Sequence, residues 1–228
     1  EFLKEVDSLA LSNVQLNLES AYNNFFRKNK SKFPRFKSRK NKQSYTTNNQ
    51  NGTIKIDNDF IKLPKIGYIK LKQHRNIPNN YILKSATVSK TKSGKYYVSI
   101  LFEYENQVQE VIPHSFIGLD YSMHELYVDS NGNEATYPRF YRKSLEKLKK
   151  EQRKLSRMFI GSNNFYKQVK RVDNIYEHIT NQRKDFLHKL SRNIVDNYDV
   201  VCIEDLNMQS MSQCLNFGMS IHDNGWGM

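Results

Sequence analysis

The chain has 228 residues, 38% of them apolar, enough for one large or two small domains with real cores. Its 36 Lys/Arg against 23 Asp/Glu give a net charge of +13, no apolar run approaches the ~18 residues of a membrane span, and Cys202 and Cys214 are too few for a disulfide framework. A membrane protein and a disulfide-stapled secreted module are therefore excluded, and a reducing, cytoplasmic setting is expected.

In chain order, residues 1–26 set Leu3, Val6, Ala10, Val14, Leu18, Ala21 and Phe25 at spacings of three and four, which predicts one face of an amphipathic helix. Residues 27–42 then carry nine Lys/Arg and no acid, and Pro34 argues against continued helix. Residues 142–192 hold fifteen basic and five acidic side chains. Positive charge concentrated in two segments is the footprint of a phosphate-backbone partner, whereas a merely solvated surface intersperses acids. Arg27, Lys28, Lys30, Lys32, Arg35, Lys37, Arg39 and Lys40 are the candidate contacts of the first segment. The interleaved Phe33, Phe36 and Tyr45 can stack on unpaired bases, worth ~1–3 kcal/mol each, or anchor the loop to the next module.

From about residue 53 the period switches to two, with Ile54, Ile56, Ile61 and Leu63, then Ile66 to Leu71, punctuated by Asn51-Gly52 and Pro64. A hairpin is predicted at 84–103 around Lys92-Ser93-Gly94-Lys95, so residues 45–108 read as a small antiparallel barrel or sandwich. Beyond Pro113, Phe116–Tyr121, Glu125–Asp129 and Asn133–Tyr137 read as three strands, the last two joined at Ser130-Asn131-Gly132-Asn133. Two helices follow. Leu145, Leu148, Leu155 and Met158 form the seam of the first, which stops near Gly161. The second covers about 163–197, with Val169, Val172, Tyr176, Ile179, Phe186, Leu190 and Ile194 inward, and the pair reads as an antiparallel hairpin or as two ordinary core helices. Val200–Glu204 is a fourth strand, and Met219–Asp223 starts another helix.

The apolar runs Phe116–Leu119 and Val200–Ile203 read as strands buried on both faces, with Cys202 acting as a small buried hydrophobe. Asp120 and Glu204 close them, and an unpaired carboxylate there tends to shift its pKa, find a cation or hold a metal. Three strands, two helices and a fourth strand are the order of a ribonuclease H-like α/β fold. Its crossover places the fourth strand beside the first and brings the two acids to one edge. Carboxylate oxygens there suit Mg²⁺, and two such ions ~3.5–4 Å apart would serve phosphodiester cleavage.

The stretches LKEVDS (3–8), NNFF (23–26), FPRFKSRK (33–40), IKLPKIG (61–67), SGKYYVS (93–99), GLDYS (118–122), NQRKDFLHKLS (181–191), IEDLN (203–207) and NFGMSIHDNGWGM (216–228) resemble the TnpB (OrfB) proteins of insertion sequences, relatives of type V CRISPR effectors. The likeness covers essentially the whole chain. It implies a transposon-encoded, Mg²⁺-dependent, RNA-guided DNA endonuclease with a guide RNA and a target DNA as partners. It also implies a helix from a recognition region (1–28), a basic loop plus β-barrel wedge domain (29–112), and a RuvC-like nuclease domain (113–228) with a helical hairpin at 141–197. Asp120 and Glu204 match the first and second RuvC carboxylates, and so the catalytic and metal-binding positions; Asp205 is not a catalytic position in that pattern. The family's third carboxylate and its Zn²⁺-binding ribbon fall downstream of residue 228. Arg183, Lys184, Lys189 and Arg192 would track a guide or heteroduplex backbone by shape and charge. Ser122-Met123 stands where relatives carry a glycine, and Met219 where they often carry Lys.

Starting at Glu1 inside a helical pattern and stopping at Gly225-Trp226-Gly227-Met228, the chain reads as an internal fragment, so a missing leader carries no weight. Two carboxylates of three imply binding rather than cutting for the chain alone. Three functions stay open: the guided nuclease, a strand-transfer transposase using the same acids, and an inactive RNA- or DNA-binding protein. Bland readings are that Asp120 ends a strand, Glu204-Asp205 caps a turn, His178 and His188 are surface or packing residues, and Trp226 anchors the core.

Overall fold

The computed structural model describes residues 2–27, 32–38, 42–105, 112–122, 124–214 and 218–227. The chain divides into two compact units, Glu1–Val108 and Gln109–Met228.

The first unit opens with a 3₁₀ turn, Phe2–Glu5, and helix α1, Ser8–Arg27. Asp7 separates them because its carboxylate caps α1, accepting from the backbone N–H of Leu9 at 3.4 Å and Ala10 at 3.2 Å. The same carboxylate accepts from the Thr47 hydroxyl, and the Asn13 amide donates to the Thr46 carbonyl at 3.2 Å. These polar ties fix how α1 turns toward the sheet, and they overrule the predicted seam. Ala10 is buried, while Leu3, Val6, Val14 and Leu18 are exposed.

Strands β1 (Gln43–Asn48), β2 (Lys55–Asp57), β3 (Phe60–Leu63), β4 (Gly67–Lys70), β5 (Ile82–Lys90) and β6 (Tyr96–Glu103) form two three-stranded sheets, β1-β5-β6 and β2-β3-β4, antiparallel throughout. Alternation places Ala86 and Val88 opposite Ile100 and Val98. Together with Ile54, Ile61 and Leu63 they make one core drawn from both sheets. The β5–β6 turn closes through Thr91 N–H to the Lys95 carbonyl at 2.9 Å, with Gly94 at φ +89°, a conformation glycine adopts without a Cβ clash.

In the second unit, β7 (Phe116–Tyr121), β8 (Tyr127–Asp129) and β9 (Glu134–Ala135) run antiparallel in sequence, then helices α2 (Phe140–Ser156) and α3 (Asn163–Asn197) lead to β10 (Val200–Ile203). The sheet order is β10-β7-β8-β9, and β10 is parallel to β7, as the crossover argument expects. Helices α4 (Met208–Cys214), which the sequence reading lacks, and α5 (Gly218–Asn224) follow.

Between α2 and α3, Gly161 takes φ +92° and the Ser162 hydroxyl caps α3 by accepting from Phe165 N–H at 3.1 Å. Leu148, Val172 and Ile179 are buried on the shared seam, as predicted, but Tyr176 is exposed, its hydroxyl taking a hydrogen bond from Gln152 at 2.8 Å. The Gln168 side chain, 1% exposed, donates to both the Glu151 carbonyl (3.0 Å) and carboxylate (2.7 Å), an interhelical clasp invisible to apolar periodicity.

One expectation fails in the sheet. Leu119 and Ile117 are buried, but Phe116 is 62% and Ile203 66% exposed, and Cys202 is exposed as well. The strands are thus not buried on both faces, and Cys202 is no core hydrophobe. Apolar sequence sets what can be buried, whereas the packed helices decide which face is.

Candidate acidic site at the ends of β7 and β10

The site is set by a clamp at the other end of its two strands. The Asp199 carboxylate accepts from the backbone N–H groups of His114 and Ser115 and from the Ser115 hydroxyl, each at 2.9 Å. The Ser115 carbonyl in turn accepts from Val200 N–H at 3.0 Å. The ladder then pairs Val200 with Phe116, Val201 with Ile117, Cys202 with Gly118 and Ile203 with Leu119. Carried one residue further, the register sets Glu204 beside Asp120, on strands ~4.8 Å apart. Both line one open cleft of about 510 Å³, together with Gly118, Ser130 and Cys202.

Asp199 holds its carboxyl below the usual carboxylate range, first through the His114 N–H bond and then through Ser115. Asp129, the third acid on the cleft, is spoken for by the hairpin. It accepts from Asn131 N–H (2.9 Å), Asn133 N–H (2.8 Å) and the Asn133 amide (2.9 Å), with the Asn133 side-chain bond first among the causes of its lowered pKa. Asp120 and Glu204 are exposed and enter no ion pair among the described residues. The turn after Glu204-Asp205 takes its cap from Asn207 instead, whose side chain accepts from Ser210 N–H at 3.0 Å.

As a donor set, the pair fits a hard divalent cation: two carboxylates at one level of a sheet, no competing cation, and water access for the remaining positions. Among the described residues no group of three or more His, Cys, Asp or Glu converges on a metal position.

Arg27, Lys32, Arg35 and Lys37 are exposed, while Lys28, Lys30, Arg39 and Lys40 lie outside the described residues. Phe33 meets Tyr22 and Phe25 edge-on at 5.8 and 5.4 Å, so it anchors the basic segment to α1, whereas Phe36 is 95% exposed. Tyr45 is half-buried, and burial and then the nearby Asp7 charge push its pKa up.

Three of the four predicted contacts on α3 are engaged within the chain: Arg183 with Asp223 at 3.3 Å, Lys189 with Asp185 at 2.7 Å and Arg192 with Asp196 at 2.7 Å. Lys184 lines an apolar groove of about 610 Å³ beside Trp226, with His188 also on its wall.

Arg183 carries the largest surprise. Its partner Asp223 is 2% exposed and also accepts from Tyr141 N–H at 3.1 Å, with Arg142 at 3.6 Å. Asn224 donates to the Tyr121 hydroxyl at 3.0 Å, and Trp226 lies 5.7 Å from the Tyr121 ring. The DNGWG segment therefore ties α5 to α2, α3 and the strand that carries Asp120. Arg183 falls four residues after Ile179 and three before Phe186, on the inward seam, and that spacing is the signal the charge-based reading passed over.

Comparison with known proteins identifies relatives of the chain. Residues 99–215 match the family model OrfB_IS605, described as "Probable transposase". A protein of Escherichia coli (strain K12) named "Putative RNA-guided DNA endonuclease InsQ" is 34% identical over 213 residues, 93% of this chain and 52% of its own length. One from Streptomyces pristinaespiralis named "Putative RNA-guided DNA endonuclease" is 32% identical over 226 residues, 99% of this chain and 56% of its own length. The chain spans about half the length of these curated relatives. With its mixed α/β architecture and its acidic strand ends, the chain belongs to the OrfB_IS605 transposase family.

Proposed function

We propose that this chain is a nucleic-acid-binding part of a TnpB-type RNA-guided DNA endonuclease, with guide RNA and target DNA as partners and Asp120 and Glu204 as two metal-holding carboxylates of a RuvC-type site. The observation that carries this reading is the shared cleft at matching register. The β10-β7-β8-β9 order supports a ribonuclease H-like domain, and the two sheets around Ile54 and Ile61 support a wedge-type β module. Asp120 and Glu204 would hold Mg²⁺, which supplies Lewis-acid polarisation of a scissile phosphodiester. Cations of residues 32–37 would hold the backbone while the exposed Phe36 ring offers a stacking face.

A second reading, nucleic-acid binding without cleavage, is favoured by the engagement of Asp129, the third acid on the cleft, with Asn131 and Asn133 of the hairpin. The test supplies the chain with Mg²⁺, guide RNA, a matched duplex and a transposon-end donor. Guide-dependent cleavage that stops in Asp120→Asn and Glu204→Gln supports the nuclease. Donor–target joined product without a guide would overturn it in favour of strand transfer, and binding with no cleavage would leave the binding reading.

A further inference from the structure

Positive charge also lines the space between the two long helices. Helices α2 and α3 enclose a groove of about 470 Å³ whose walls carry Lys147, Lys154, Arg171, Asn174 and His178, with Glu151 as the acid among the lining residues. That acid is already occupied. Glu151 binds Lys154 at 2.7 Å and accepts from Gln168 at 2.7 Å, and these contacts, Lys154 first, lower its pKa. Lys147 has no carboxylate partner among the described residues. Arg171 spends one N–H on the Gln168 side-chain Oε1 at 3.4 Å, leaving other donors of its five-donor fork available. In the distal half of α3, by contrast, Arg183, Lys189 and Arg192 each have an aspartate, and Lys184 lines the apolar groove beside Trp226.

We propose that the α2–α3 groove, through Lys147 and Arg171, seats the phosphodiester backbone of a bound nucleic acid. Lys147 offers a mobile point charge and Arg171 a planar fork, the two cation chemistries that complement phosphate oxygens. The neutral Asn174 amide adds a donor without charge. The inference rests on the nucleic-acid reading above and deepens it, moving the helical contacts from the 183–192 segment to a groove whose Arg171 lies about three turns before Arg183 on α3.

The test titrates the 228-residue chain with a labelled DNA duplex and a structured RNA over a series of NaCl concentrations, alongside Lys147→Gln/Arg171→Gln and, for comparison, Lys84→Gln/Lys149→Gln, two lysines that each have a glutamate partner. Two lost phosphate contacts should flatten the slope of log K against log salt by about 2 on the duplex and lower low-salt affinity more than about tenfold. The comparison pair should stay within about twofold of the parent. Lys147→Gln alone, at an exposed position, keeps the test valid if the double variant unfolds, and should flatten the slope by about 1. An unchanged slope in the groove variants, with the parent binding normally, overturns the groove assignment. Failure of the parent to bind either nucleic acid instead overturns the reading on which it rests.

Discussion

At the scale of single residues, burial decides what each ionic contact is worth. Asp223 sits 2% exposed among Arg183, Arg142 and the Tyr141 N–H, so deleting a partner strands a charge in the interior. Arg183→Ala should lower unfolding free energy by about 3–5 kcal/mol, whereas Arg192→Gln, which breaks an exposed pair, should stay within about 1 kcal/mol. Urea denaturation of the two variants checks the contrast, and equal losses would contradict it. Asp199 gives a pH signature. Its folded-state carboxyl titrates below its unfolded value, so its contribution is fully present above the ordinary carboxylate range near ~4 and fades as pH falls through the lowered folded value. Thermal unfolding followed downward from pH 6 should show a smaller acid-induced drop in Asp199→Asn than in the parent.

The elements show which parts of the fold are legible in sequence. Period-two alternation locates the β5–β6 hairpin, and Ala86, Val88, Val98 and Ile100 lie on its inner face as the pattern requires. Spacings of three and four find α2 and α3 and the buried Leu148, Val172 and Ile179. Leu148→Ala, which removes a side chain 1% exposed at the hairpin seam, should cost about 2–5 kcal/mol in the same denaturation assay. What periodicity does not reveal is cover. Val14 and Leu18 on α1, and Phe116 and Ile203 on the sheet, have the pattern of core positions but no partner over them among the described residues, because the Asp7–Thr47 and Asn13–Thr46 ties and the one-sided packing of the helices are tertiary choices. Polar clasps are equally hidden. Gln168 and Arg183 read as solvent-facing by composition, although both lie on the inward side of α3.

For the molecule as a whole, two basic segments and two strand-ending acids were readable from the sequence, and the acids prove to line a common cleft. The register that joins them descends from Asp199 and Ser115, so the far end of the strands governs the geometry of the near end. Replacing Lys32, Arg35 and Lys37 by Gln should flatten the salt dependence of RNA binding by about 2, at ~0.7 per single-strand phosphate lost, and a gel-shift series in NaCl reads the slope. The most direct test of the account is Mn²⁺ binding followed by loss of the free-ion electron paramagnetic resonance signal. If Asp120 and Glu204 share one cation, Asp120→Asn and Glu204→Gln should each remove the same site, and the double variant should lose no more than either alone. A site that survives both substitutions, or two independent additive losses, would contradict a joint site.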